Sequence, residues 1–119
     1  MKKVFILTIV IISLVLLSSG CKKKFDITGN WTLSVNWGTG FKTGVVVTFS
    51  GDKSSGVILF PTAAGLSGTY RVSDINVDFI IKEGLTDIIF TGTSTDDDNM
   101  SGTMYESGKT TTGNWIATR

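Results

Sequence analysis

The chain has no histidine, a single cysteine (Cys21) and a single proline (Pro61) in 119 residues. Without His there is no Ser–His or Cys–His nucleophile pair, and the residue most used for proton transfer at neutral pH is missing. A zinc site of His and Cys ligands is excluded for the same reason, and one cysteine cannot form an internal disulfide. Basic charge is scarce once the first 24 residues are set aside. Residues 25–119 carry six Lys and Arg against ten Asp and Glu, a net charge of −4. Such a body lacks the basic face that nucleic acid demands. The chain also lacks any stretch with apolar residues at helical spacing over three turns beyond residue 24. The inventory points away from an enzyme, which would have to work with carboxylates alone.

What is present falls into two unlike parts. Lys2 and Lys3 precede a 14-residue apolar run, Val4–Leu17, broken only by Thr8 and Ser13, and Ser18-Ser19-Gly20 then lead to Cys21. A positive start, an apolar run shorter than the ~20 residues of a spanning helix, and small residues at its end form the layout of a secretory signal. The reading is a helical signal peptide over 1–20, a basic tether over 21–28 and one folded domain over 29–119.

The domain reads as β throughout. Trp31, Leu33, Val35 and Trp37 alternate with Thr32, Ser34 and Asn36, a period of two with one wet face. Seven further strands are expected near 42–50, 56–60, 66–73, 75–82, 87–94, 100–106 and 112–118. Val45, Val57, Leu59, Tyr70, Phe79 and Trp115 are among the side chains read as inward. Short Gly-, Asp- and Asn-bearing turns join the strands. Such a chain suits an all-β, eight-stranded antiparallel up-and-down barrel, because closure removes the sheet edges; a two-sheet sandwich is the alternative. The inward residues are almost all large, which favours a filled interior over a small apolar cavity. In Gly29-Asn30-Trp31, Gly68-Thr69-Tyr70, Gly102-Thr103-Met104 and Gly113-Asn114-Trp115, a glycine shares a face with the bulky residue two places on. Glycine there lets a neighbouring ring lie across the backbone.

In a meander, alternate loops fall at opposite ends. The tether then enters beside the loops bearing Asp52, Asp74 and Asp96-Asp97-Asp98. The far end collects apolar loops led by Trp37 and Phe41, which either meet a partner or fold back as a lid. Asp96-Asp97-Asp98-Asn99 lacks the spacing and late Glu of a calcium loop and reads as a turn; no metal is expected. Candidate contacts for a ligand or partner are Trp37, Phe41, Tyr70, Phe79 and Trp115, with core packing the competing role for the last three.

Two resemblances extend this reading. Ser19-Gly20-Cys21 resembles the end of the lipobox of bacterial lipoproteins, although the usual Leu stands one place early, at Leu17. The resemblance implies a diacylglyceryl group, and often an N-acyl group, on Cys21 after cleavage. The protein would be exported and anchored by lipid to a bacterial membrane, with the outer membrane or cell surface expected. No other cofactor is implied. Gly29-x-Trp31, opening the first strand, resembles the lipocalin and avidin (calycin-type) barrels. The lipocalin likeness implies that Trp31 closes one end of the barrel with an Arg, here Arg119, packed over it. Ile27-Thr28-Gly29-Asn30-Trp31 and Leu66-Ser67-Gly68-Thr69-Tyr70 look like avidin strands, but Leu33 and Val72 stand where biotin's polar partners would be, so biotin binding is not expected. Ser67-Gly68-Thr69-Tyr70 is loosely similar to the motif of periplasmic lysozyme inhibitors. The expected function is therefore a lipid-anchored envelope interaction module. A carrier of a small apolar ligand and a periplasmic protein inhibitor are the alternatives.

Overall fold

A computed structural model of the protein describes residues 25–119. The signal peptide read over 1–20, the Cys21 anchor and the first part of the tether lie outside the described residues.

The described chain is a closed barrel of eight strands in sequence order, each antiparallel to its neighbours. The strands are β1 (Gly29–Asn36), β2 (Val45–Gly51), β3 (Ser55–Leu59), β4 (Leu66–Ser73), β5 (Asn76–Glu83), β6 (Thr86–Asp96), β7 (Asn99–Glu106) and β8 (Thr112–Thr118). β8 returns to pair with β1 from Thr32↔Thr118 to Asn36↔Asn114, which satisfies both edges of the sheet. The barrel rather than the sandwich is thus realised. Alternation decides the wall: Trp31 and Leu33, Val47 and Phe49, Val77, Phe79 and Ile81, Met100 and Met104, and Trp115 and Ala117 are all buried, while the residues between them are exposed or half-buried.

β3 corrects the sequence reading. Val57 and Leu59 are about half exposed and Ile58 is the buried residue of β3, whereas Val45 on β2, though partly exposed at the open mouth, keeps the inward face it shares with Val47 and Phe49. The run Gly56-Val57-Ile58-Leu59-Phe60 is apolar on both faces and carries no period of its own. Its neighbours choose the face. A Cβ on Gly56 would lie 2.7 Å from the Tyr70 hydroxyl, so only the register that puts Gly56 inside leaves room for that ring. Ile58 then falls opposite Phe49 and Gly68.

The tether also needs correction. Phe25 is 8% exposed and Ile27 is fully buried, so Phe25–Thr28 belong to the barrel and plug one end of it.

Aromatic rings fill the half of the barrel nearest that plug. Phe79 stacks on Phe90 with ring centres 4.5 Å apart, and Trp115 and Phe49 meet Phe79 edge-on at 5.0 and 5.7 Å. The Trp115 indole N–H donates to the carbonyls of Thr91 and Thr103, both at 3.1 Å, from across two adjacent strands. It can reach them because Gly92 and Gly102 face each other there and leave the inner wall bare.

Candidate functional site

The two ends of the barrel differ. At the end where the described chain enters, Trp31 lies under the Arg119 guanidinium, 4.3 Å from its ring centre, and Phe25 packs against it edge-on at 6.1 Å. The Trp31 indole N–H donates to the Ile27 carbonyl at 2.7 Å. Arg119 donates to the carbonyls of Asp26 (2.8 Å), Asp97 (2.6 Å) and Thr28 (3.1 Å), and its Nε lies 3.4 Å from the Asp98 carboxylate. One side chain thereby ties the entering segment, the β6–β7 turn and the last strand together. The tryptophan–arginine closure implied by the lipocalin resemblance is present.

The acidic turns of this end are internally occupied. Asp52 accepts from the Ser54 hydroxyl and from the backbone N–H groups of Ser54 and Ser55, which holds its carboxyl below the ordinary value of 3.8. Asp96 is held low by the Asp98 N–H and then by the Asn99 amide, and Asp26 by the Thr28 hydroxyl and N–H. The Tyr70 hydroxyl donates to the Asp52 carbonyl at 2.7 Å, and burial, followed by the charges of Asp52 and Asp26, pushes its ionisation upward. All three carboxyls titrate lower in the folded chain than in the unfolded one. Their contribution is complete above the unfolded value of about 3.9 and is lost as pH falls through the still lower folded values. The closed end should therefore loosen first in acid. Melting temperature should fall below about pH 4, and Asp52→Asn should flatten that fall. Added salt should alter it little, because the first causes are neutral donors rather than opposite charges.

At the opposite end the aromatic filling stops short and leaves a cup of about 240 Å³. Its base is Leu33, Ile81, Phe90 and Met104, all buried. Val35, Val45, Leu66 and Ile88 form its sides, and Trp37, Phe60, Thr43 and Glu83 its rim. The β1–β2 loop sets Trp37 in place. The Asn36 side-chain oxygen accepts from the N–H groups of Gly38 (2.8 Å) and Gly40 (3.0 Å), and both glycines sit at positive φ. The loop so coiled turns the Trp37 ring inward over Gly113, where an added Cβ would come within 3.0 Å of it.

Of the five side chains named from the sequence, only Trp37 lines this cup. It folds back as part of a lid, whereas Phe41 in the same loop stays half exposed. Tyr70, Phe79 and Trp115 are buried in the packed aromatic half. The interior is thus filled over that half and hollow at the mouth. Sequence reasoning misses Phe60, because the face expected inward on β3 is the opposite one, and Glu83, because it falls one residue past the fifth expected strand, 75–82. A signal for Glu83 existed: Val77, Phe79, Ile81 and Glu83 are one period-two series, so its position belongs to the inward face.

Scans against protein-family models, curated proteins and solved structures find no match for the chain. The likeness to calycin barrels therefore rests on the closed eight-stranded fold and on Trp31 beneath Arg119.

Proposed function

We propose that the protein is an exported lipoprotein, held by acyl chains on Cys21 in the outer membrane or at the cell surface, whose barrel is a non-catalytic binding module. The observation that carries this reading is the contrast between the ends: at one the barrel is plugged and pinned by Arg119, so that the hollow of about 560 Å³ there lies outside, between Phe25, Val72 and the polar Asp52–Ser54 and Asp74 turns, and at the other the interior opens into an apolar cup. The chain enters at the plugged end, so an anchor at Cys21 leaves the cup pointing away from its membrane. Lipidation supplies anchorage at ~0.8 kcal/mol per buried methylene and needs nothing from the fold.

The cup's size narrows the carrier alternative. Sites for drug-sized ligands run from about 300 Å³ upward, and 240 Å³ falls below that. A single ring or a short branched chain fits; a long acyl chain does not. The reading therefore joins the interaction module to a small-ligand site, with the apolar group entering between Trp37 and Phe60.

Two arms test it together. In cells fed labelled palmitate, wild-type chain should carry label and Cys21→Ser should not. The purified chain should bind neopentylbenzene with a change in tryptophan emission, and Leu66→Trp, which fills the cup from its side, should abolish that change. Absence of label removes the anchor; a saturable signal that survives Leu66→Trp removes the cup.

A further inference from the structure

At its mouth the cup's own lining carries charge of one sign. Two strands end there with a carboxylate in their inward series: Val77, Phe79, Ile81 and Glu83 on β5, and Met100, Gly102, Met104 and Glu106 on β7. Glu106 is neutralised by Lys109, 2.8 Å away. Glu83 has no such partner: the two ion pairs among the described residues are Lys109–Glu106 and Arg119–Asp98. Lys42 lies in the β1–β2 loop, across the rim from the β5–β6 turn, with its backbone tied to the Val35 carbonyl at 3.0 Å, and its ammonium makes no ion pair with Glu83. Glu83 is also the only charged side chain among the cup's lining residues. It is held at the rim by a two-residue turn in which Gly84 takes a positive φ of 62° and Thr86 pairs opposite it.

Beneath this carboxylate the lining offers an anion no positive charge, and its only side-chain donors are the Thr43 hydroxyl and the Trp37 indole N–H. It contains one hydroxyl, at Thr43, and three aromatic rings, those of Trp37, Phe60 and Phe90. Ring faces carry negative partial charge and attract cations. A neutral hydrocarbon would satisfy the base of the cup but would leave Glu83 without a role. An anion would meet the carboxylate and the ring faces together, both repulsive.

We infer that the cup takes a small apolar ammonium compound, its ring or branched alkyl body on Phe90 and Met104 and its cationic end at the rim beside Glu83. The inference rests on the cup being the binding site. It adds the charge of the ligand and the residue that reads it. Glu83 is exposed, so the ion pair is of the weak, solvent-screened kind, and the cation's contact with an open ring adds a comparable amount. Together these amount to a factor of about five in affinity.

The test uses the full chain in zwitterionic-lipid nanodiscs, with empty discs as blank, and three probes of one shape class: benzyltrimethylammonium, its uncharged isostere neopentylbenzene, and phenylacetate. Affinities are read by equilibrium dialysis and by tryptophan emission. Wild type should hold the ammonium probe more tightly than phenylacetate. Glu83→Gln, which removes the ion pair and leaves the ring contact, should weaken the ammonium probe about two-fold, leave neopentylbenzene unchanged and strengthen phenylacetate. Added salt should reproduce the first effect in wild type and be without effect in Glu83→Gln. Equal loss of all three probes in Glu83→Gln, or an ammonium affinity indifferent to that substitution, overturns the inference while leaving an apolar cup in place. Failure of every probe to bind wild type overturns the cup reading itself.

Discussion

Gly102→Val should destabilise the barrel severely, by at least about 3 kcal/mol of the roughly 5–15 kcal/mol such a domain possesses. The cause is backbone, not side chain. A Cβ at Gly102 would fall onto the Thr91 carbonyl and 2.5 Å from the Gly92 Cα, and one at Gly92 would meet the Ser101 carbonyl as well as the Trp115 ring at 2.7 Å. Clashes with a flexible side chain relax at small cost, but here the strands β6 and β7 would have to part at their closest approach. Parting them also removes the trough in which the Trp115 indole reaches the Thr91 and Thr103 carbonyls. A buried indole N–H without an acceptor costs about a further 1–3 kcal/mol. Thr103→Val, one residue on and facing outward, is the control and should stay within about 0.5 kcal/mol of wild type. Urea unfolding followed by far-ultraviolet circular dichroism separates the two. A cooperative transition in Gly102→Val close to the wild-type midpoint would show that the strands are not held together by the absence of that Cβ.

The glycine trough was partly legible in the sequence. Gly102-Thr103-Met104 and Gly113-Asn114-Trp115 announce a bare inner position beside a bulky one, but only the β6–β7 register, Gly92↔Gly102, reveals that two bare positions meet. Local alternation sufficed where each strand had a wet face, as in β1 and β5. It failed in Gly56–Phe60, where every side chain after the glycine is apolar and the choice of face belongs to Tyr70 on the next strand. The plug was hidden for a related reason. Phe25-Asp26-Ile27-Thr28 has too few residues to show a period, and its burial follows from what Trp31 and Arg119 require of it: a carbonyl for the indole and two more for the guanidinium. Glu83 shows the opposite case. Its inward placement follows from simple counting along β5, but a charge before a glycine reads so readily as a turn that the count is broken off one residue early. The cup itself could not be read from composition. The inward residues are large on average, and only their packing shows that the bulk is concentrated near Trp31, leaving the other end open.

That uneven filling predicts that the two tryptophans of β1 and its following loop will behave as opposites. Trp31→Ala should cost about 3–5 kcal/mol. It empties a site that is 1% exposed, strips Arg119 of the ring beneath it, and leaves the Ile27 carbonyl unpaired inside the plug. Trp37→Ala should cost far less, about 1 kcal/mol, because its ring is only partly buried and borders an existing hollow, so that its loss widens a space already open to water. The contrast should invert for binding. Trp37→Ala should weaken any occupant of the cup, whereas a chain carrying Arg119→Ala, which loosens the plug without reaching the cup, should bind as wild type does while melting at a lower temperature. If both tryptophans proved equally costly, the mouth would be as tightly packed as the plugged end and no ligand could enter it. If neither mattered, Arg119 would not be closing the barrel. Stability and binding can separate in this molecule because they are lodged at opposite ends of the same eight strands, joined through the Phe79–Phe90 stack between them.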